Sequence, residues 1–195
     1  MAFLRSVNPL DTGPVLRAGQ VYLRAPQMSD FQGWAELRAS SRIFLTPWEP
    51  TWPRDDLTKS SFRRRLKRYG RDMRDDLAYP FFLFETDSDN IVGGLTLSNV
   101  RRGVAQSCTI GYWIGEPYAR KGHMTAALAA IIPYVFKTLQ LHRLEAACLP
   151  FNEASVRLLK RSGFNEEGYA RRYLRINGKW QDHLLFGLIA DDMNR

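Results

Sequence analysis

Residues 111–128 read GYWIGEPYARKGHMTAAL, and this stretch decides the fold: a strand runs through a basic, glycine-bearing turn into a helix. Ile110, Tyr112 and Ile114 alternate with Gly111, Trp113 and Gly115 in a run rich in β-branched and aromatic residues, and Pro117 ends it. A helix is predicted to open near Gly122. Its first turn leaves backbone N–H groups unpaired; together with the helix dipole and the cations of Arg120 and Lys121 they form a ready anion site, suited to a pyrophosphate. The same residues also fit an ordinary strand, loop and helix whose basic pair faces water. No glycine run ends in Lys-Ser or Lys-Thr and no G-x-G-x-x-G follows the strand, so nucleoside triphosphate and dinucleotide loops are weak readings.

Working outward, strands are predicted over 79–85, 91–99 and 107–114, and short turns at 87–90 and 101–103 make them an antiparallel meander. After the helix come a strand over 143–149, a short helix over 153–161 stopped at Gly163, and a hairpin of 164–176 with 180–189 about Asn177-Gly178. Toward the N-terminus, residues 1–18 carry few periodic signals and read as a loose arm ahead of one domain over 19–195. Residues 21–24 read as a short strand, and Ser29 or Asp30 can cap a helix through about Ser41. LTPWEPTWP at 45–53 holds three prolines and two tryptophans in nine positions, a proline density that neither a helix nor a central strand tolerates. Aromatics in such a loop either seal a core or line a binding surface. With a basic helix starting near Asp55, the order is β, α, α, β, β, β, α, β, α, β, β: a single-domain α/β fold, its mixed sheet mostly antiparallel and flanked by helices.

A chain of 195 residues, 45% hydrophobic and 25% charged, is long enough for one core that buries roughly 70% of the unfolded surface. The amino terminus lacks a positive start followed by an apolar run, and the longest apolar stretch, 124–139, is interrupted by Thr125 and Pro133. A soluble, cytoplasmic protein without membrane contact is expected. The two cysteines, Cys108 and Cys148, lack metal-ligand or C-x-x-C spacing and are expected to be buried free thiols, with no metal site. The excess of 28 basic over 20 acidic residues, a formal +8, favours an anionic partner such as a phosphorylated cofactor or RNA. Lys59, Arg63, Arg64, Arg65, Lys67, Arg68 and Arg71 form one run without an acidic residue, through which Phe62, Leu66, Tyr69 and Met73 recur at helical spacing. That is an amphipathic helix with a solvated basic face, or a surface that docks on RNA and releases it steeply with salt.

Several separate stretches carry a family resemblance: FLTPWEP at 44–50, LSNV at 97–100, GYWIG at 111–115, KGHM at 121–124, HRLEA at 142–146, the step from Asn152 to Ser155, SGF at 162–164, EGYARRYL at 167–174 and INGKWQDH at 176–183. Over residues 22–188 the chain resembles the GNAT superfamily of N-acetyltransferases and, within it, the RimJ type of ribosomal-protein-alanine N-acetyltransferase. The resemblance implies acetyl coenzyme A as cosubstrate, held by Tyr112, Trp113, Ile114, Arg120, Lys121, Gly122, His123, Met124, Thr125, Asn152 and Ser155. It also implies that Asn152 touches the pantetheine arm and that Ser155 lies near the thioester sulfur, although Asn152 reads equally well as a plain N-cap. The superfamily's diphosphate motif usually opens with Gln or Arg and closes with Gly or Ala, where this chain has Ala119 and Met124. Contacts in such a loop are mostly to backbone N–H groups, so cofactor binding is expected to survive. Thr109 stands where many relatives carry a glutamate, which excludes a carboxylate base there.

Acetyl transfer needs a neutral amine, stabilisation of the developing oxyanion and support for the departing thiolate. The resemblance assigns the second to backbone N–H groups around Trp113 and Ile114 and the third to a hydrogen bond from Ser155, with no covalent enzyme intermediate. An α-amine has a reference pKa of ~7.7–8.0 against ~10.4 for lysine, so a weak base or a water relay suffices. Glu49 and Asp182 are the carboxylates to weigh, with His183 third; each also fits as a plain turn or strand residue. The expected acceptor is the N-terminal α-amine, Ala or Ser, of a small-subunit ribosomal protein, with a possible ribosomal RNA contact through 59–71 and a monomeric or weakly dimeric state. Another protein terminus, a polyamine or an amino-bearing drug is the alternative, though a basic surface repels cationic acceptors. An RNA-associated module with a vestigial acetyl site is the other, kept open by Thr109 and Ala119.

Overall fold

The computed structural model describes residues 13–194. β3 (Tyr79–Glu85), β4 (Ile91–Arg101) and β5 (Ser107–Ile114) form the antiparallel meander that the strand pattern leads one to expect. In β3 the alternation is between two cores rather than between core and solvent. Phe81 and Leu83 join a cluster with Leu128 and Ile131 of α4 (His123–Pro133), while Phe82 and Phe84 join Trp34 of α1 (Phe31–Ser40) and Phe62 and Leu66 of α3 (Lys59–Arg74). A sheet covered on both faces explains why β3 is a near-continuous apolar run.

β1 (Leu16–Ala18) and β2 (Val21–Arg24) extend one side of the sheet, and β6 (Arg143–Cys148), β7 (Asn165–Ile176) and β8 (Lys179–Ile189) the other, in the order β1-β2-β3-β4-β5-β6-β8-β7. Among the described residues only β5 and β6 pair in parallel. A short α2 (Arg42–Leu45) follows α1, and α5 (Glu153–Arg161) joins β6 to β7. Among the described residues no helix is long and apolar enough to cross a membrane. Both cysteines are free and buried, and desolvation pushes their thiols up, Cys108 to about 12 and Cys148 to about 11.

The differences from the sequence reading have local causes. Residues 1–12 of the expected arm lie outside the described residues, but Leu16–Ala18 pairs with β2 because Gly19, at φ +52°, lets the chain reverse. Asp30 does not cap α1; it is buried, bound by Arg24, and accepts from the Gln27 N–H, which closes the turn before the helix. Residues 46–48 form a 3-10 turn despite Pro47, since a proline in the first turn of a helix lacks only a hydrogen that would have gone unpaired. α3 begins at Lys59, not near Asp55, because the Thr58 hydroxyl accepts from the Ser61 N–H and caps it there. Asp55 and Asp56 instead reach forward to Arg64 and Arg65.

Candidate active site

β5 and β6 pair only at Ser107–Arg143, Cys108–Leu144 and Thr109–Glu145. Beyond that point β5 follows β4 as far as Ile114, while β6 follows β8 through Ala146, Ala147 and Cys148. The two parallel neighbours therefore diverge, and a wedge opens in the middle of the sheet. The Gly115 N–H donates to Val92 O in β4. Because N–H directions alternate along a strand, Trp113 N–H is also turned to β4, while Tyr112 and Ile114 N–H face the wedge.

Two helix N-termini flank this wedge. α4 starts behind Gly122, which sits at φ +84° and gives the helix no side-chain cap. Its first intrahelical bond is Ala126 N–H to Gly122 O, so the N–H groups of His123, Met124 and Thr125 have no helical acceptor. Arg120, at φ +62°, shares the left-handed conformation with Gly122, and such reversals turn successive N–H groups into one concavity. A Cβ on Gly122 would meet nothing closer than Gln20 Nε2 at 3.9 Å, so there is room beside the turn where a side chain would project. Gln20 Nε2 also donates to Lys121 O at 2.7 Å, tying the turn to the β1–β2 corner. Arg120, Lys121 and Thr125 are exposed. His123 and Met124 offer only their backbone to the concavity. Met124 is in the core, and the His123 ring is buried with Nε2 3.1 Å from Glu85 Oε1 and its edge against Tyr118.

At the other side, Asn152 Oδ1 accepts from Ser155 N–H and caps α5, as the three-residue spacing suggests. The Ser155 side chain spans the wedge: its Oγ lies 2.5 Å from the hydroxyl of Tyr112 on β5.

The proline-tryptophan loop closes the neighbouring rim. Trp48 packs on Phe151 with ring centres 5.9 Å apart, and Glu49 O accepts from Asn177 N–H at the tip of the β7–β8 hairpin. Glu49 Oε1 and Oε2 accept from Arg38 Nη1 and Nη2, each at 2.7 Å, and Oε2 also accepts from Trp52 Nε1. Arg38 is only 6% exposed, and its guanidinium lies 4.0 Å over the Trp52 ring and 4.8 Å over that of Trp113. Asp182 accepts from the Tyr169 hydroxyl and from Arg172 N–H at the bulge in β7, and these bonds hold its carboxyl below the usual range. His183 is buried, with Nδ1 3.0 Å from Gln181 O and its ring against Tyr173. Thus Tyr112, Ile114, Asn152 and Ser155 converge on the wedge with the α4 turn beside it. Glu49, Asp182 and His183 each have fixed partners. Arg38, and the bond that the Tyr112 side chain makes with Ser155, were not legible in the sequence, since neither residue sits in a spacing that marks its partner.

A sheet split between two helix N-termini, one of them an uncapped basic turn, is the architecture of an acetyltransferase that binds a diphosphate-bearing thioester. Residues 20–165 match the family described as Acetyltransferase (GNAT) domain; the chain belongs to this family and is an N-acetyltransferase. It is 39% identical over 165 residues to the [Ribosomal protein uS5]-alanine N-acetyltransferase of Escherichia coli K12, covering 84% of this chain and 85% of that protein. Among solved structures, Mycobacterium smegmatis RimJ in complex with CoA-disulfide superposes with a TM-score of 0.87 at 34% identity, covering 96% of this chain and 91% of that one. The ribosomal-protein-S5-alanine acetyltransferase from Vibrio fischeri gives 0.85 at 32% identity, covering 92% and 98%.

Proposed function

We propose that this protein transfers the acetyl group of acetyl coenzyme A to the N-terminal α-amine of a protein beginning with Ala or Ser, most simply a small-subunit ribosomal protein in the cytoplasm. The observation that carries the reading is the wedge itself, flanked by an uncapped helix N-terminus and a hydroxyl-bearing one. The names of the relatives above, which act on a ribosomal-protein alanine, support the choice of acceptor.

In this reading the N–H groups of His123, Met124 and Thr125, with Arg120 and Lys121 and the dipole of α4, hold the diphosphate. Asn152 contacts the pantetheine arm through the amide group that capping leaves over. Ile114 N–H, which faces the wedge, stabilises the carbonyl oxygen as charge builds on it. The amine nitrogen bonds to the thioester carbon as the C–S bond breaks and the electron pair leaves on sulfur. Ser155 donates a hydrogen bond to that sulfur, the nitrogen's surplus proton passes to solvent, and the sulfur takes one up. No protein carboxylate is needed to deprotonate an α-amine whose pKa is ~7.7–8.0. The protonated, buried thiol of Cys148 is a poor nucleophile, in keeping with direct transfer.

The exposed basic face of α3 favours a second contact. Among the described residues no acidic side chain pairs with Lys59, Arg63, Lys67 or Arg68, and that face is assigned to the phosphate backbone of ribosomal RNA near the acceptor. The test of the main reading is free-thiol release from acetyl coenzyme A with short peptides that differ only in the first residue, one carrying a blocked α-amine. Turnover confined to free Ala or Ser termini is expected. Equal turnover of a polyamine or of the blocked peptide through its lysines would overturn the assignment.

A further inference from the structure

The bond between Tyr112 and Ser155 does more than join two elements across the wedge. Ser155 has a single hydroxyl hydrogen, so its usefulness depends on where that hydrogen points. A helical serine hydroxyl can instead donate back to a carbonyl three or four residues earlier, which would leave nothing for a sulfur. Here the Ser155 backbone N–H is already satisfied by Asn152 Oδ1, and the Oγ meets a phenol at 2.5 Å. If Ser155 were the donor, the phenol's own hydrogen would have no side-chain acceptor among the described residues, a costly state for a mostly buried group. With the phenol as donor, its hydrogen is paired and the serine's is free.

We infer that Tyr112 is a positioning residue for acetyl transfer: its phenol donates to Ser155 Oγ and so turns the one Ser155 O–H toward the departing sulfur. The inference rests on the proposed role of Ser155 and adds a group to it. Two hydroxyls in series polarise one another, so the donation from Tyr112 strengthens the bond Ser155 gives to a sulfur gaining negative charge. Burial pushes the Tyr112 phenol well above its usual range, so it remains a donor throughout the working pH. No proton crosses between the two side chains.

The experiment is a double-mutant cycle on the full chain, read as kcat for thiol release from saturating acetyl coenzyme A. The acceptor is an Ala-initiated peptide or, should no peptide serve, whichever amine supports release, since the sulfur departs in every case. Ser155→Ala is expected to lower kcat about tenfold and Tyr112→Phe about fivefold to tenfold, each with coenzyme A Kd within about twofold of wild type. The double variant is expected to be no slower than Ser155→Ala, because Tyr112 acts only through Ser155. Losses that multiply, or an unchanged kcat in Tyr112→Phe, would overturn the positioning role. A fully active Ser155→Ala would remove both residues from the step while leaving the acceptor assignment standing. Should Tyr112→Phe fold poorly, 3-fluorotyrosine at 112 keeps shape and donor; kcat equal to or above wild type supports the role, and a tenfold loss refutes it.

Discussion

Glu49 shows how much one side chain's role depends on what surrounds it. Two bonds from Arg38 and one from Trp52 engage its carboxylate, and its carbonyl ties the loop to the hairpin, which suits a clasp between loop and hairpin better than a proton acceptor. Glu49→Gln is expected to leave the pH dependence of kcat/KM unchanged, rising as the acceptor amine deprotonates with an apparent pKa of about 7.7–8.0. It should raise the acceptor KM and lower Tm by several degrees, since a buried Arg38 then lacks its anion. Loss of that pH limb in the glutamine variant would make Glu49 the base. Asn152 and Ser155 were legible because a cap acts over three residues of one chain segment. Arg38 was not, because its partners Glu49, Trp52 and Trp113 meet it only through folding.

Elements were read well where one rule acts locally. The strands over 79–85 and 107–114 and the helix over 153–161 match residue for residue, each being bounded by turn or cap signals. Errors fell at boundaries where a side chain elsewhere decides, as Thr58 does for α3. The turn before α4 is an element whose backbone matters more than its side chains. Gly122→Glu places both a carboxylate and a Cβ at φ +84° in the concavity, and coenzyme A binding by calorimetry is expected to vanish while the fold persists; unchanged affinity would refute the cradle. β4 offers a second check. A Cβ on Gly94 would clash with Trp113 Nε1, so Gly94→Ala must displace the indole that stacks on Arg38. A cost of about 1–3 kcal/mol and a Tm lower by several degrees are expected in thermal unfolding; an unshifted Tm would mean that the indole moves freely.

For the whole molecule, a formal +8 is distributed unevenly, because Asp55 and Asp56 neutralise part of the α3 run while Arg63, Lys67 and Arg68 stay exposed. Reversing these three to Glu is expected to leave acetylation of a short peptide within about twofold, while weakening binding to ribosomal RNA and flattening its dependence on salt. Equal RNA affinity in wild type and variant, measured at two salt concentrations, would separate this face from any ribosome contact. The amino-acid order alone determined the succession of strands and helices, the basic glycine turn, the cap of α5 and the family, because periodicity, turn chemistry and capping act over a few neighbouring residues. Only the tertiary structure decided that β5 and β6 part after three pairs, that Tyr112 meets Ser155 across the gap, and that Arg38, lying against the rings of Trp52 and Trp113, holds Glu49. These contacts join segments far apart in the chain, and their geometry is fixed by how two cores pack on one twisted sheet.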